Sequence, residues 1–376
     1  MDNKLNIKSM FVIAGAYASY TIGAGFASGN EILQFFGSWG LPWAFLAMIV
    51  GLVFNAYFCA SAYRAGQLQN FAKSRDVYAY YCGPYIAWVF DIFVILFVLG
   101  IFATMFTGAG SMVNQFVGLP QWVGSVIVGA IAAVTVFGGL KIVEKVLGYA
   151  GIVIIGYVIV LGIVSLFHPS SSFEHAAEVE QQVAEGHIWQ AGFYGISNWW
   201  FDGLCYAGVC LIVSVPFIAS LGKSTKGTKD AIGTGIFSGI FFYLGAGLVA
   251  ITLLANFDAV VGTDGNMLPI PTLAAIQKLF PAIAWTYMVV LIAGIYTTVT
   301  GYLWLLTDRV FGSKPSIKSR IFAAVLMVIG IVLGSVLPFS WLVNMLYPLS
   351  GFAGILFGVF MLVKDIRMKV AKKEAA

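Results

Sequence analysis

Charge is what this sequence has least of. Charged residues make up only 10% of the 376 positions, and histidine occurs three times. A soluble domain carries about one quarter charged residues, so a soluble globular class is excluded. Hydrophobic residues supply 60%, and the chain reads as an all-α polytopic membrane protein. Cysteine is scarce too. Cys59, Cys82, Cys205 and Cys210 fall in or beside apolar segments, with neither metal-ligand spacing nor a secreted disulfide framework. They read as small buried apolar residues. A catalytic triad, a metal cluster and a phosphate-binding loop are also missing, so enzymatic activity is not expected. The net charge of +4 sits in short loops and points to no nucleic-acid partner.

Long apolar runs are what the sequence has instead. A spanning helix needs about 20 mostly apolar residues. Ten such runs are expected, at roughly 9–37, 41–66, 86–117, 121–139, 144–167, 195–222, 229–255, 281–311, 318–338 and 340–364. The lysines ahead of the first run resemble a signal peptide, but the run continues without a convincing cleavage site and reads as mature structure. With ten spans, nineteen of the twenty lysines and arginines fall on one side, and only Lys278 falls opposite. That satisfies the positive-inside rule with both termini cytoplasmic. One transport domain over 1–376 is expected, with repeats at about 9–167 and 195–364. Residues 177–184 and the stretch after Pro271 read as short surface helices. Residues 67–85 read as a tyrosine-rich connection along the membrane surface.

Glycine crowds one place where a membrane helix should carry leucine. Gly23, Gly25 and Gly29 fall within seven residues of the first run. Each weakens a helix by about 1 kcal/mol. Bare backbone at membrane depth persists only where it lines a cavity or is buried in protein. The stretch from Gly23 to Gly29 therefore predicts an unwound break, the usual mark of a transporter's substrate and ion site; the alternative is a small-residue packing face, since Gly25 and Gly29 also match Gly-x-x-x-Gly. The sixth run, with Gly203, Gly208 and Pro216, predicts a second break near Tyr206 to Cys210. The third and eighth runs echo one another. Gly100-Ile-Phe-Ala-Thr104 is followed by Thr107-Gly108, and Gly294-Ile-Tyr-Thr-Thr298 by Thr300-Gly301. First with sixth and third with eighth is the pairing of two inverted five-helix repeats.

Two facing breaks offer carbonyls to a cation and N–H groups to a carboxylate. The expected substrate residues are Gly25, Ala27, Ser28, Gly29, Tyr206, Ala207 and Gly208, with Thr104 and Thr107 from the third run. Trp199, Trp200 and Phe201 fit either a cover over the site or an interfacial aromatic belt. Asp91 and Asp308 lie near cytoplasmic ends and fit structural pairing. Ser28-Gly-Asn-Glu31 matches the Ser-x-x-Glu capping box, and Glu31 also fits a proton or substrate role. Asp202 has no cation near it in sequence. It suits a substrate amine, a proton, an outer gate, or a hydrogen bond in a wet vestibule.

The Gly-Ala-Gly-Phe-Ala-Ser-Gly-Asn-Glu stretch resembles the amino acid–polyamine–organocation superfamily, whose shared architecture is the five-plus-five inverted-repeat fold of the bacterial leucine transporter. More narrowly, the chain looks like the YkvI-type bacterial membrane proteins. The resemblance implies a bacterial cytoplasmic membrane location. It also implies a sodium ion between the first and eighth helices. Matched on Gly29-Asn30, the first-helix carbonyls fall on Gly23 and Phe26. Matched on Ala293-Gly294, the eighth-helix ligands fall on the Ala293 carbonyl and the Thr297 hydroxyl, with Thr298 adjacent. Tyr296 stands where sodium-coupled relatives often carry a second small hydroxyl.

The expectation is a secondary symporter of a small amino-acid-like solute, driven by sodium, with no other cofactor. Its rivals are a proton-coupled carrier using Asp202 or Glu31, and a ligand-sensing receptor or channel on the same fold.

Overall fold

The computed structural model describes residues 7–69, 71–138, 140–169, 178–192, 196–262, 266–311 and 316–374, and their side chains except at 136–152, 304, 308–309 and 372–374. Lys141, Lys145, Asp308 and Arg309 thus lie outside the described side chains. Among the described residues the chain is nearly all helix. Seven helices are long and apolar enough to cross a membrane. They are α4 (Trp43–Gln69), α5 (Ser74–Val117), α9 (Trp199–Gly222), α10 (Thr228–Ala255), α13 (Pro281–Phe311), α14 (Ile317–Val336) and α15 (Phe339–Glu374). Two more apolar stretches, Gln121–Thr135 and Val153–Phe167, lie within α6 (Gln121–Gly138) and α7 (Leu140–Phe167).

The first apolar run is split in three: α1 (Ile7–Thr21), α2 (Ala24–Ser28) and α3 (Asn30–Phe35). Helix α1 stops at Thr21, and Gly23 is extended, with φ −103° and ψ −168°. Helix α2 then lasts five residues and stops at Gly29, whose φ of +79° is left-handed. A side chain rarely adopts that φ, and a β-carbon there would also lie 2.6 Å from the Thr272 methyl. The break is therefore a property of the glycines.

A short helix α8 (Glu178–Ala184) and α12 (Pro271–Leu279) form where the surface helices were expected. A single turn, α11 (Phe257–Val260), precedes α12. The connection over 67–85 is helical from Ser74 and turns at Gly83, where φ is +81°. At the α8–α12 end, Lys278 pairs with Asp258.

The sixth run corrects the sequence reading. Helix α9 continues without a break from Trp199 to Gly222. Its glycines serve close approach instead. A β-carbon on Gly203 would lie 2.1 Å from the Ala47 carbonyl oxygen of α4, and one on Gly208 would lie 2.2 Å from the Gly351 carbonyl oxygen of α15. Small residues let membrane helices touch backbone to backbone. Pro216 cannot donate to the Ile212 carbonyl four residues back. The Tyr78 hydroxyl donates to that carbonyl instead, at 2.9 Å, so the helix passes through the proline intact.

Candidate functional site: a carboxylate among tyrosines at the broken helix

The break opens onto a cavity of about 30 Å³, room for about two waters at some 10–15 Å³ each. Gly23, Glu31, Met105, Tyr206, Thr298 and Tyr347 are among its lining residues. Glu31 is 3% exposed and points into this space. Its Oε1 accepts a hydrogen bond from the Tyr206 hydroxyl of α9 at 2.8 Å, and the Tyr347 hydroxyl of α15 lies beside the same cavity, next to Gly25. Glu31 thereby ties α3 to α9.

The capping box does not form. Gly29 is the N-cap of α3 and makes no side-chain cap. The Ser28 hydroxyl donates to the Gly25 carbonyl at 3.0 Å and accepts from the Asn30 N–H at 3.2 Å. Gly25 is needed for the carboxylate's position, since a β-carbon on it would lie 2.5 Å from Glu31 Oε2.

The backbone around the break is accounted for group by group. The Thr298 hydroxyl of α13 donates to the Ile22 carbonyl at 2.9 Å and to the Gly294 carbonyl at 3.1 Å. The Thr297 hydroxyl lies 2.8 Å from the same Gly294 carbonyl. The Gly23 and Phe26 carbonyls accept from the Ala27 and Gly29 N–H groups, at 3.0 and 2.9 Å. The Ala24 N–H meets only the Met105 thioether sulfur, at 3.2 Å. At the far end of α2, the Ala27 carbonyl receives the Thr272 and Tyr287 hydroxyls at 2.9 and 2.6 Å. The loop helix α12 is thus bonded onto the broken segment.

Other expected residues lie elsewhere. Thr104 and Thr107 are buried but bond their own helix, to Gly100 and Ala103; α5 lines the cavity through Ile101 and Met105 instead. Ala207 and Gly208 are buried in the α9 helix, and Gly208 faces α15 as described. Trp199 stacks on Trp43 at 5.6 Å, while Trp200 is 46% exposed and meets the edge of Phe201. The rings that pack on Tyr206 are Phe35 and Phe36, at 5.3 and 5.0 Å, with Tyr243 and Phe242 at 6.1 and 6.3 Å. Sequence reasoning missed Tyr347, Tyr302, Tyr20 and Met105. A tyrosine deep in an apolar run needs a partner for its hydroxyl, and that signal was available.

Asp202 is fully buried and lies outside the cavity lining. Its Oδ2 accepts the Trp39 indole N–H at 2.9 Å, while Oδ1 makes no hydrogen bond. Asp202→Asn keeps an oxygen for Trp39 and should leave thermal stability in detergent nearly unchanged. Asp202→Ala orphans the indole and should cost about 1–3 kcal/mol. Equal melting temperatures for the two variants would show that the bond carries no weight.

No family model matches the chain. Two curated relatives from Bacillus subtilis strain 168 do. The uncharacterized protein YyaD is 27% identical over 369 residues, covering 97% of this chain and 98% of its own. The uncharacterized membrane protein YkvI is 22% identical over 346 residues, covering 92% and 93%. Among solved structures, a Na+-coupled sialic acid symporter superposes with a TM-score of 0.61 at 13% identity, covering 94% of this chain and 78% of that one. The chain has a transporter fold. The manganese transporter of Eremococcus coleocola gives 0.58 at 13% identity, with 94% and 78% covered. Mhp1, a nucleobase-cation-symport-1 family transporter, gives 0.54 at 15% identity, with 90% and 74% covered. These neighbours are transporters, not enzymes.

Proposed function

We propose that this protein is a secondary active transporter of a small amino-acid-like solute, driven by a sodium gradient across a bacterial cytoplasmic membrane. The reading adopts ten spans in two inverted repeats, with both termini cytoplasmic. Its main support is the broken first helix, which turns a buried carboxylate and unwound backbone toward one small cavity. Such a break is where transporters hold solute and ion.

Sodium is a hard cation suited to several oxygen ligands. The oxygens that cluster here are the Ile22 and Gly294 carbonyls and the Thr297 and Thr298 hydroxyls, with Thr298 2.9 Å from Ile22 and 3.1 Å from Gly294. We place the ion among them, at the carbonyl one residue before Gly23 on the first helix and one residue after Ala293 on α13, and away from the Phe26 carbonyl. Threonine hydroxyls often bond their own helix, and Thr297 does so; Thr298 also reaches across to α1, which favours an ion role. The cavity is too small for an amino acid, so solute entry requires the helices to part, as alternating access does.

A second reading has its own observation. Glu31 is buried with a hydroxyl partner and no base among the described residues of the cavity lining, and an intramembrane acid of that kind also suits a coupling proton.

Counterflow tests the transport claim. Vesicles preloaded with unlabelled amino acids and amines should take up labelled solute by exchange. Binding without any exchange would make the protein a receptor. Topology is checked by cysteine labelling: positions in 178–185 should react with impermeant reagents from outside, and positions in 223–229 only from inside. Reaction of both from one side of sealed cells would reject the span count.

A further inference from the structure

We propose that the Glu31 carboxylate is the specificity-determining group of this cavity and selects solutes by a protonated amine, so that no carboxylate is needed on the solute. The inference rests on the transport reading above.

Charge balance is the first argument. Glu31 is 3% exposed. A buried carboxylate is costly unless paired and hydrogen-bonded. Tyr206 supplies a hydrogen bond but no charge, and among the described residues no lysine, arginine or histidine lines the cavity. An alkylammonium supplies the missing positive charge and donates hydrogen bonds to the oxygens left open.

The second argument concerns what the cavity denies. The Thr298 hydroxyl is committed to Ile22, the Thr21 hydroxyl to Tyr17, and the Ser214 hydroxyl to Cys210. A solute carboxylate would find those three hydroxyls occupied and would lie in one small space with a second carboxylate. Like charges in a site of low dielectric repel strongly.

Shape and surface agree. The cavity volume of about 30 Å³ accepts an ammonium head, which is close to a water in size. Tyr20, Tyr206, Tyr302 and Tyr347 all line it, and aromatic rings favour a desolvated cation. Gly25 acts as a positioning residue, because a methyl group there would lie 2.5 Å from Glu31 Oε2 and push the carboxylate aside.

The test uses purified full-length protein in sodium buffer and three matched sets of probes. These are ethylamine, alanine and propionate; isoamylamine, leucine and 4-methylpentanoate; and phenethylamine, phenylalanine and 3-phenylpropionate. Binding is read by thermal shift and by calorimetry. At least one amine should bind, and no deaminated acid should. Glu31→Gln, which keeps the shape and an acceptor oxygen, should weaken the binding amine by about 100-fold or more, since breaking a buried charge pair is strongly unfavourable. Tyr206→Phe leaves the charge and should weaken it by only about tenfold. Gly25→Ala should weaken the amine while the protein still melts cooperatively. Binding of a deaminated acid, an unchanged amine affinity in Glu31→Gln, or binding by none of the three amines overturns the inference. If amino acids exchange in counterflow but no amine binds, this inference fails and the transport reading stands. If amines bind through Glu31 but no solute exchanges, the transport reading fails and this one stands.

Discussion

Valine in place of Gly208 should yield little or no folded protein. The contact leaves nothing that can swing aside. A β-carbon on Gly208 would lie 2.2 Å from the Gly351 carbonyl oxygen, and one on Gly354 would lie 2.0 Å from the Gly208 carbonyl oxygen. Both partners are helix backbone, so α9 and α15 must separate for any side chain to fit. Overpacking costs typically about 1–3 kcal/mol, and more where backbone must move. A fold stabilised by about 5–15 kcal/mol loses much of its margin. Gly156 is the control. It lies in α7, and a β-carbon there meets nothing within 4 Å. Gly156→Ala should be neutral or slightly stabilising, because alanine is the better helix former by about 1 kcal/mol. Thermal unfolding in detergent, followed by size exclusion, separates the two. Gly208→Val should aggregate or melt at least about 5 °C lower. If both variants melt with the wild type, the α9–α15 contact is not as close as described.

Thr298→Ala should lower the sodium affinity by about tenfold or more, equivalent to about 1.4 kcal/mol. The Thr298 hydroxyl bridges two helices, lying 2.9 Å from the Ile22 carbonyl and 3.1 Å from the Gly294 carbonyl. Its loss removes one ion ligand and the only group that faces the Ile22 carbonyl in the described hydrogen bonds. Thr297→Ala should have a smaller effect, since that hydroxyl reaches only Gly294. Thr300 provides the control: its hydroxyl is buried and makes no hydrogen bond, so Thr300→Ala should leave sodium affinity unchanged. The readout is the sodium concentration that half-maximally tightens solute binding, with potassium replacing sodium at constant ionic strength. Equal affinity in sodium and potassium for the wild type would reject the ion site and favour the proton reading.

The first break was legible because three glycines crowd seven residues at mid-span with a polar cluster directly after them, and Gly29 does take a left-handed φ of +79°. The same logic misled at the sixth run. Glycine permits both unwinding and backbone contact, and the sequence does not say which neighbour will approach Gly203 or Gly208. The proline that suggested a break is served by Tyr78, whose sequence distance from Ile212 is 134 residues. Glu31 illustrates the same limit. Ser28-x-x-Glu31 is a sound local capping pattern, but its tertiary partner Tyr206 lies 175 residues away. Local spacing could not weigh that bond against a cap. The threonines of the eighth run were recognised as a pair, yet only their helical phase decides that Thr298, rather than Thr297, reaches the first helix. In each case the chemistry was readable and the facing partner was not.

Solute accumulation in proteoliposomes under an imposed ion gradient tests the central claim most directly. One charge crossing 100 mV supplies about 2.3 kcal/mol, and a tenfold sodium gradient adds about 1.4 kcal/mol. Together they can concentrate a neutral solute several hundredfold at one-to-one coupling. Vesicles with an inward sodium gradient and a negative interior should accumulate labelled solute well above the outside concentration. The gain should collapse on adding a sodium ionophore and should be absent when potassium replaces sodium. Uptake that only equilibrates across the membrane whatever the gradient, or no uptake of any solute that binds, would contradict the account.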